Sequence, residues 1–366
     1  MRMWAILFTL LPLAGLAYIS WHVWTLLPLG WIWKTIIVVC IVACFGLLFL
    51  NFKGKLDDFP LGVAQVLYAI GTSSIFVMLY LVMLFLVLDI GRLCRLIPRS
   101  FLYDNWWSAA GIFVVMFGVF LYGNIHYKNK VRVPLEVKSH KPLPKAYKVV
   151  MLSDLHLGYH NPRKELARWV DMVNAEQPDF ILIAGDIIDI SVRPLIEEDM
   201  AAEFRRLTAP VYACLGNHEY YSGEPNAQKF YQDAGIHLLS DSSTEVDSTF
   251  VIIGRDDRTN LRRKSVKDLA AQVDKSKFTI LLDHQPYNLE LAEQAEIDFQ
   301  LSGHTHRGQV WPISWITDAV YECAWGSHQR GNTQYYVSSG LGIWGGKFRI
   351  GTQSEYVVAT IQSAAE

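Results

Sequence analysis

Four apolar stretches in the first third of the chain, roughly Trp4–Leu27, Thr35–Leu50, Leu61–Leu88 and Trp107–Tyr122, limit what its N-terminal part can become. In hydrocarbon every backbone N–H and C=O must be paired internally, which leaves the helix or the closed barrel. A helix rises 1.5 Å per residue, so about 20 apolar residues cross a core about 30 Å thick. The first and third stretches reach that length, and aromatic flanks extend the shorter second and fourth. Trp21, Trp24, Trp31, Trp33, Trp106 and Trp107 stand at segment ends, where an interfacial belt places them. The sequence therefore predicts four transmembrane helices within residues 1–125. Buried core helices fit less well, because four in succession lack an amphipathic pattern. So does a cleaved signal peptide, since the first stretch is too long and three more follow it.

Charge divides the chain at the same boundary. Of its 33 basic and 35 acidic residues only 11 lie before residue 126, so the net charge of −2 averages two unlike halves. No basic stripe with interleaved aromatics marks a nucleic-acid partner. With four spans, one side carries Arg2, Lys53, Lys55, Lys128, Lys130 and Arg132, and the other carries Lys34, Arg92, Arg95 and Arg99. That excess places the C-terminal domain in the cytoplasm by the positive-inside rule. Residues 126–146 read as a basic linker, and Lys138, Lys141 and Lys145 suit either an anionic leaflet or plain solvation. Cys40, Cys44 and Cys94 lie in or beside the spans, and the chain has no CxxC, which fits a reducing compartment. Asp89 reads as an interfacial or snorkelling carboxylate.

A second pattern begins near Ala146, beyond Pro142 and Pro144. Lys148–Leu152, Asp179–Ala184 and Pro210–Leu215 are short apolar runs that read as buried strands. Between them, Arg163–Ala175 carries Leu166, Trp169, Val170 and Val173 at helical spacing, and Met200–Leu207 reads as another helix. Such alternation predicts a layered α/β core. Phe250–Gly254, Phe278–Leu282, Phe299–Ser302, Gln334–Ser338 and Glu355–Ile361 extend the set of strands, with a short helix around Leu289–Gln294.

Five apolar runs each stop at a polar cluster: Asp154/His156, Asp186/Asp189, Asn217/His218, His284 and His304/His306. In a strand, residues i and i+2 share a face, so Asp154 and His156 are expected to project together from the strand end. Ligand sites in open α/β sheets favour that edge. Imidazoles and carboxylates suit divalent transition metals, and two such ions about 3.5–4 Å apart clamp a phosphoryl group. Singly, each cluster has a plain reading: a polar strand at His304/His306, a turn or cap at Asp186, a turn at Asn217, a cap at Asp189. Jointly, each after an apolar run, they point to a metal site.

In this order D-x-H, G-D-x-x-D, G-N-H-E, a single His and G-H-T-H, within residues 147–362, resemble the motifs of the calcineurin-like metallophosphoesterase superfamily. Ser338-Ser339-Gly340-Leu341-Gly342 resembles its bacterial membrane-associated branch, which includes enzymes similar to UDP-2,3-diacylglucosamine pyrophosphatases. The resemblance implies a four-layer αββα sandwich, an α/β metallophosphoesterase domain over residues 147–366, behind the four-helix transmembrane region of a bacterial inner membrane. It implies that Asp154, His156, Asp186 and His306 hold one divalent metal ion. Asp186 would bridge to a second ion completed by Asn217, His284 and His304, with manganese ahead of iron, zinc or cobalt. By the same resemblance His218 protonates the leaving group, Asp189 orients His218, and a metal-activated hydroxide attacks phosphorus in line. Many bacterial relatives have glycine where this chain has Arg307, which with His160 and Arg349 is a candidate substrate contact. The blander readings are a surface ion pair for Arg307 and a solvated loop for His160.

The expected function is a membrane-anchored phosphoesterase acting on a phosphodiester or pyrophosphate bond, with the basic neck favouring a lipid-linked substrate. A phosphomonoesterase for soluble nucleotides or phosphoproteins shares every motif, because the metal site reads phosphorus and not the leaving group. From another class, a non-catalytic membrane scaffold or sensor would keep the fold, and the full set of ligands with His218 argues against it.

Overall fold

The computed structural model describes residues 2–364, with side chains from residue 10 onward except residues 52 and 53. The side chains of Arg2, Trp4 and Lys53, used in the expectations above, lie outside those described. The chain divides into two compact units, residues 1–123 and 124–366.

The first unit is helical: α1 (Arg2–Leu26), α2 (Trp31–Gly46), a 3-10 segment (Leu47–Asp58), α3 (Leu61–Leu93) and α4 (Trp106–Lys128). Gly30 and Pro60 precede α2 and α3, and the Asn105 side chain caps α4 by accepting from the Trp107 and Ser108 N–H groups. Among the described residues, three helical stretches are long and apolar enough to cross a membrane: Trp31–Asn51, Leu61–Leu93 and Trp106–Lys128. The fourth expected span falls on the first helix, whose side chains are described only over the shorter stretch Leu10–Leu26. Asp89, near the C-terminal end of α3, is held by three side chains. It accepts from Tyr18 Oη at 2.6 Å, faces His22 Nε2 at 3.0 Å and pairs with Arg92 at 3.4 Å. Phe85 stacks on the buried His22 ring.

In the second unit, β1 (Lys130–Ser139), β2 (Tyr147–Leu152), β3 (Phe180–Ala184), β4 (Val211–Cys214) and β5 (His237–Leu238) come first. Next are β6 (Ser242–Val246), β7 (Phe250–Gly254), β8 (Phe278–Leu282), β9 (Phe299–Ser302), β10 (Gly326–Arg330), β11 (Thr333–Val337) and β12 (Ser354–Ser363). They form two six-stranded mixed sheets, ordered β1-β12-β2-β3-β4-β5 and β10-β11-β9-β8-β7-β6. The helices are α5 (Arg163–Ala175), α6 (Arg193–Glu197), α7 (Met200–Phe204), α8 (Asn217–Tyr221) and α9 (Glu224–Asp233), then α10 (Val266–Ala270), α11 (Glu290–Gln294) and α12 (Ile313–Val320).

Strand alternation builds the layers. Val149, Met151, Phe180 and Leu182 of the first sheet meet Phe250, Ile252, Phe278 and Ile280 of the second in one core. The opposite faces of the first sheet, such as Val150 and Ile181, pack on α5, α7 and α9 through Leu166, Phe204 and Phe230. Val251, Ile253 and Leu281 pack on α10 and α11 through Leu269 and Ala292. The order is helix, sheet, sheet, helix. Residues read as a basic linker include β1, which runs parallel to β12 from Lys130↔Ser354 to Ser139↔Ser363. Its Val131, Val133, Leu135 and Val137 alternate with charged residues and Pro134, as an edge strand allows.

Candidate metal centre

Strands β2, β3 and β4 of one sheet and β8 and β9 of the other end toward the same place, so the residues just beyond their C-terminal ends converge. The backbone there leaves strand geometry. Asp154, His156, Asp186, His304 and His306 have φ of 55°, 46°, 53°, 71° and 47°, a left-handed conformation that costs a non-glycine residue about 1–2 kcal/mol. Five of the seven candidate ligands are held so, and the surrounding hydrogen bonds must maintain them. Asp154, His156 and Leu157 N–H donate to the carbonyls of Gly185, Asp186 and Ile187. Asp154 and His156 therefore meet through paired turns beyond β2, and not through strand alternation as their spacing suggests.

Two clusters result. Asp154, His156 and His306 form one: His156 Nε2 is 3.0 Å from His306 Nε2, and Asp154 Oδ1 is 3.7 and 3.4 Å from the two rings. Asp186, His284 and His304 form the other, with His284 Nε2 at 3.1 Å from Asp186 Oδ2. Asn217 Oδ1 joins it, at 3.2 Å from His284 Nε2 and 2.9 Å from His304 Nδ1. The same Asp186 Oδ2 lies 3.7 Å from His156 Nε2, so one buried carboxylate faces both clusters.

Burial alone would raise the carboxyl pKa values, but the imidazoles prevail. His306 and His156 hold Asp154 below the usual range, and His284 and His218 do the same for Asp186. Burial pushes His306 down to about 3 and His304 to about 4, keeping them neutral imidazoles, the form that can bind a metal. Burial works to lower His156 as well, yet Asp154 and Asp189 carry it up to about 10. Of two ring nitrogens 3.0 Å apart, His156 thus holds the proton that lies between them and His306 accepts it. A divalent cation replaces that proton with a better-matched charge, and N/O donors of this kind suit manganese, iron, zinc or cobalt. The residues fit a metal pair.

His218 stands beside the clusters. Its ring is 4.5 Å from that of His156, nearly perpendicular, and its Nδ1 lies 3.2 Å from the Asp189 carbonyl and 3.3 Å from Asp189 Oδ1. The same Oδ1 is 3.3 Å from His156 Nδ1, so Asp189 backs both rings. The Asp189 carboxyl is buried, and its contacts with His156 and His218 hold it ionised against that burial.

The three candidate substrate contacts each have partners within the protein. Arg349 is fully buried and donates to the carbonyls of His306, Ser339 and Gly342 and to Ser354 Oγ, so it ties two site loops together with no free face. Burial pushes its pKa down to about 10. Arg307 is half-buried and stacks on the Trp325 ring at 4.2 Å. His160 is buried, with Nε2 against the Ile343 carbonyl and Nδ1 3.9 Å from Asp189, and not in a solvated loop.

Glu219 and Asn161, to which no role was assigned from the motifs, are both fully buried. Glu219 accepts from the N–H groups of Asp186, Ile188 and Gly216, clamping two ligand loops. Its place in Gly216-Asn217-His218-Glu219 is the only signal it leaves. Gly216 must stay glycine, because a Cβ there would strike the Asp186 carboxylate. Asn161 donates to the carbonyls of Leu155 and His156.

Residues 147–308 match the family described as calcineurin-like phosphoesterase. An uncharacterized metallophosphoesterase of Campylobacter jejuni is 33% identical over 261 residues, 68% of this chain and 68% of that protein. One from Aquifex aeolicus is 31% identical over 60% of this chain and 87% of its own length. A transmembrane protein with metallophosphoesterase domain from Bos taurus is 30% identical over 63% of this chain and 56% of that protein.

Proposed function

Because the chain belongs to the calcineurin-like metallophosphoesterase family, and is thereby a metal-dependent phosphoesterase, we propose that it cleaves a phosphodiester or pyrophosphate bond in a lipid-linked substrate. The carrying observation is the Asp186 carboxylate, 3.1 Å from His284 and 3.7 Å from His156, facing both clusters at once. Asp154, His156, Asp186 and His306 would hold one ion, and Asp186, Asn217, His284 and His304 would hold the other. What the pair supplies when bound is Lewis acidity at the phosphoryl oxygens and a water-derived nucleophile near neutral pH.

The chain's own groups do the rest. Asp189 fixes the His218 ring through Nδ1, which leaves Nε2 to hold a proton for the departing oxygen. Glu219 keeps the Asp186 loop in its strained conformation. The lipid-linked substrate is supported by the apolar helices that the chain carries, and the cytoplasmic side of a bacterial inner membrane by the flanking basic residues when four spans are counted. The test uses the full chain in detergent with manganese, assayed on an aryl phosphodiester and on a lipid phosphodiester, beside Asn217→Ala. Expected are two ions per chain in the parent, fewer in the variant, and preference for the lipid. Equal metal content and equal rates would overturn the metal assignment. Preference for soluble monoesters would overturn the substrate.

A further inference from the structure

Helix α12 begins seven residues after His306 and wears its amphipathicity inside out. Trp315, Ile316, Ala319 and Val320 recur at i, i+1, i+4 and i+5, one face of a helix. That face is open: Trp315, Ile316 and Val320 are 65%, 61% and 59% exposed, and Trp311 just before the helix is 38% exposed. Ser314, by contrast, is buried. Contiguous exposed apolar patches mark interaction sites more often than accidents.

We propose that α12 is a membrane-docking element whose outward face enters the bilayer interface beside the metal centre. Its occupant is lipid for three reasons. The chain carries helices that fit a bilayer, so a membrane is always tethered to this domain at high effective concentration. Tryptophan at the edge of an aliphatic face is the composition that interfacial helices use. And an eight-residue helix is about 12 Å long, too small to supply the roughly 800 Å² per partner of a stable protein dimer, whereas a tethered domain needs little area to dock.

Both ends of α12 are fixed to the site. At its start, Gly308 sits so close that a Cβ there would strike the Ile313 and Ser314 backbone, which locks the His306 loop onto the helix. At its end, Tyr321 stands with its ring 6.4 Å from that of His304 and its hydroxyl 2.9 Å from that of Tyr287. The helix that carries the apolar face is therefore anchored next to His306 at its start and His304 at its end, so docking it brings both clusters to the headgroup layer.

The experiment places a nitroxide at Ile316→Cys, Val320→Cys or, as a polar control on exposed α9, Lys229→Cys, with Cys40, Cys44 and Cys94 replaced. The full chain is reconstituted in phosphatidylethanolamine and phosphatidylglycerol vesicles, and collision with oxygen is compared with collision with a water-soluble nickel chelate. Oxygen should dominate at positions 316 and 320 and nickel at 229. Nickel dominating at all three overturns the proposal, and so does spin–spin broadening at 316, which would mean a second copy covers the face. These readouts need no turnover, so they stand apart from the proposed reaction. The kinetic arm rests on that reaction: Trp315→Ser with Ile316→Ser should lose at least about tenfold on a vesicle-borne phosphodiester and keep its rate on a soluble aryl phosphodiester. An equal effect on both substrates overturns the link between docking and substrate access.

Discussion

The hydroxyl of Tyr127, in the last turn of α4, donates to Asn161 Oδ1 at 2.8 Å. The Asn161 amide in turn donates to the carbonyls of Leu155 and His156 at 3.1 and 3.0 Å. Residues 124–128 belong to the second unit, so this relay lies within it, and one asparagine joins the end of α4 to the loop that bears His156. Glu165 also accepts from Tyr127, and Lys347 reaches Glu165.

Removing the Tyr127 hydroxyl leaves a buried acceptor with one donor fewer, which costs about 1–3 kcal/mol. Tyr127→Phe should therefore lower the melting temperature and leave metal content intact. Asn161→Ala frees the His156 carbonyl and lets the ligand loop relax from its left-handed turn. Support behind a ligand is typically worth about 10–100-fold in metal affinity. Manganese titration of the variants reads the difference, and unchanged affinity in Asn161→Ala would show that the loop holds itself.

His218 is proposed to hold a proton and not a metal, and leaving-group chemistry separates the two. His218→Asn should lower kcat about 10²–10⁴-fold on an alkyl phosphodiester, the usual worth of a general acid. A p-nitrophenyl ester departs without protonation and should lose far less. Metal content should match the parent. Parallel losses on both esters would return His218 to a binding or structural role.

Much of this centre was legible because each apolar run is bounded by its chemistry. Arg163–Ala175 and the strands Phe250–Gly254, Phe278–Leu282 and Phe299–Ser302 have the limits that the sequence pattern assigns them, the helix through its spaced apolar residues and Phe250–Gly254 and Phe278–Leu282 through burial on both faces. Strand β1 was not legible as a strand because its lysines drew attention to charge, although Val131, Val133, Leu135 and Val137 keep a period of two. Helix α9 leaves a weak sequence signal, its apolar residues being few. The buried fate of Arg349 had no sequence signal at all. An arginine whose partners are backbone carbonyls leaves no complementary carboxylate to find.

Arg132 and Glu176 join β1 to the end of α5 by two hydrogen bonds, at 2.7 and 3.0 Å. The hydrogen bond from Arg132 lowers the Glu176 pKa, with burial opposing. A depressed folded-state pKa stabilises above the unfolded value, about 4.3, and that contribution is lost as pH falls through the folded value. Both groups are partly exposed, which caps the pair at about 1 kcal/mol. Glu176→Gln should thus melt slightly earlier than the parent at pH 7, with the gap closing in acid. A gap that persists below the carboxylate range would assign the effect to packing.

The position of β1 decides where a soluble fragment can begin. A fragment starting at Ala146 follows the apparent domain boundary, yet it deletes all ten residues paired with β12 and the buried Val137. Burial of one valine is worth about 1.5–3 kcal/mol, and for a domain of this size each kcal/mol moves the melting temperature by about 2–4 °C. The fragment also loses Tyr127 and with it the donor to Asn161. It leaves β12 as a bare edge, open to pairing with another copy. A fragment starting at Asn124 keeps all of these. Melting of the two should differ by at least about 5 °C, and light scattering should show association in the shorter one only. Equal melting and equal monodispersity would mean that β1 is an accessory to the fold and that the sandwich closes on β12 alone.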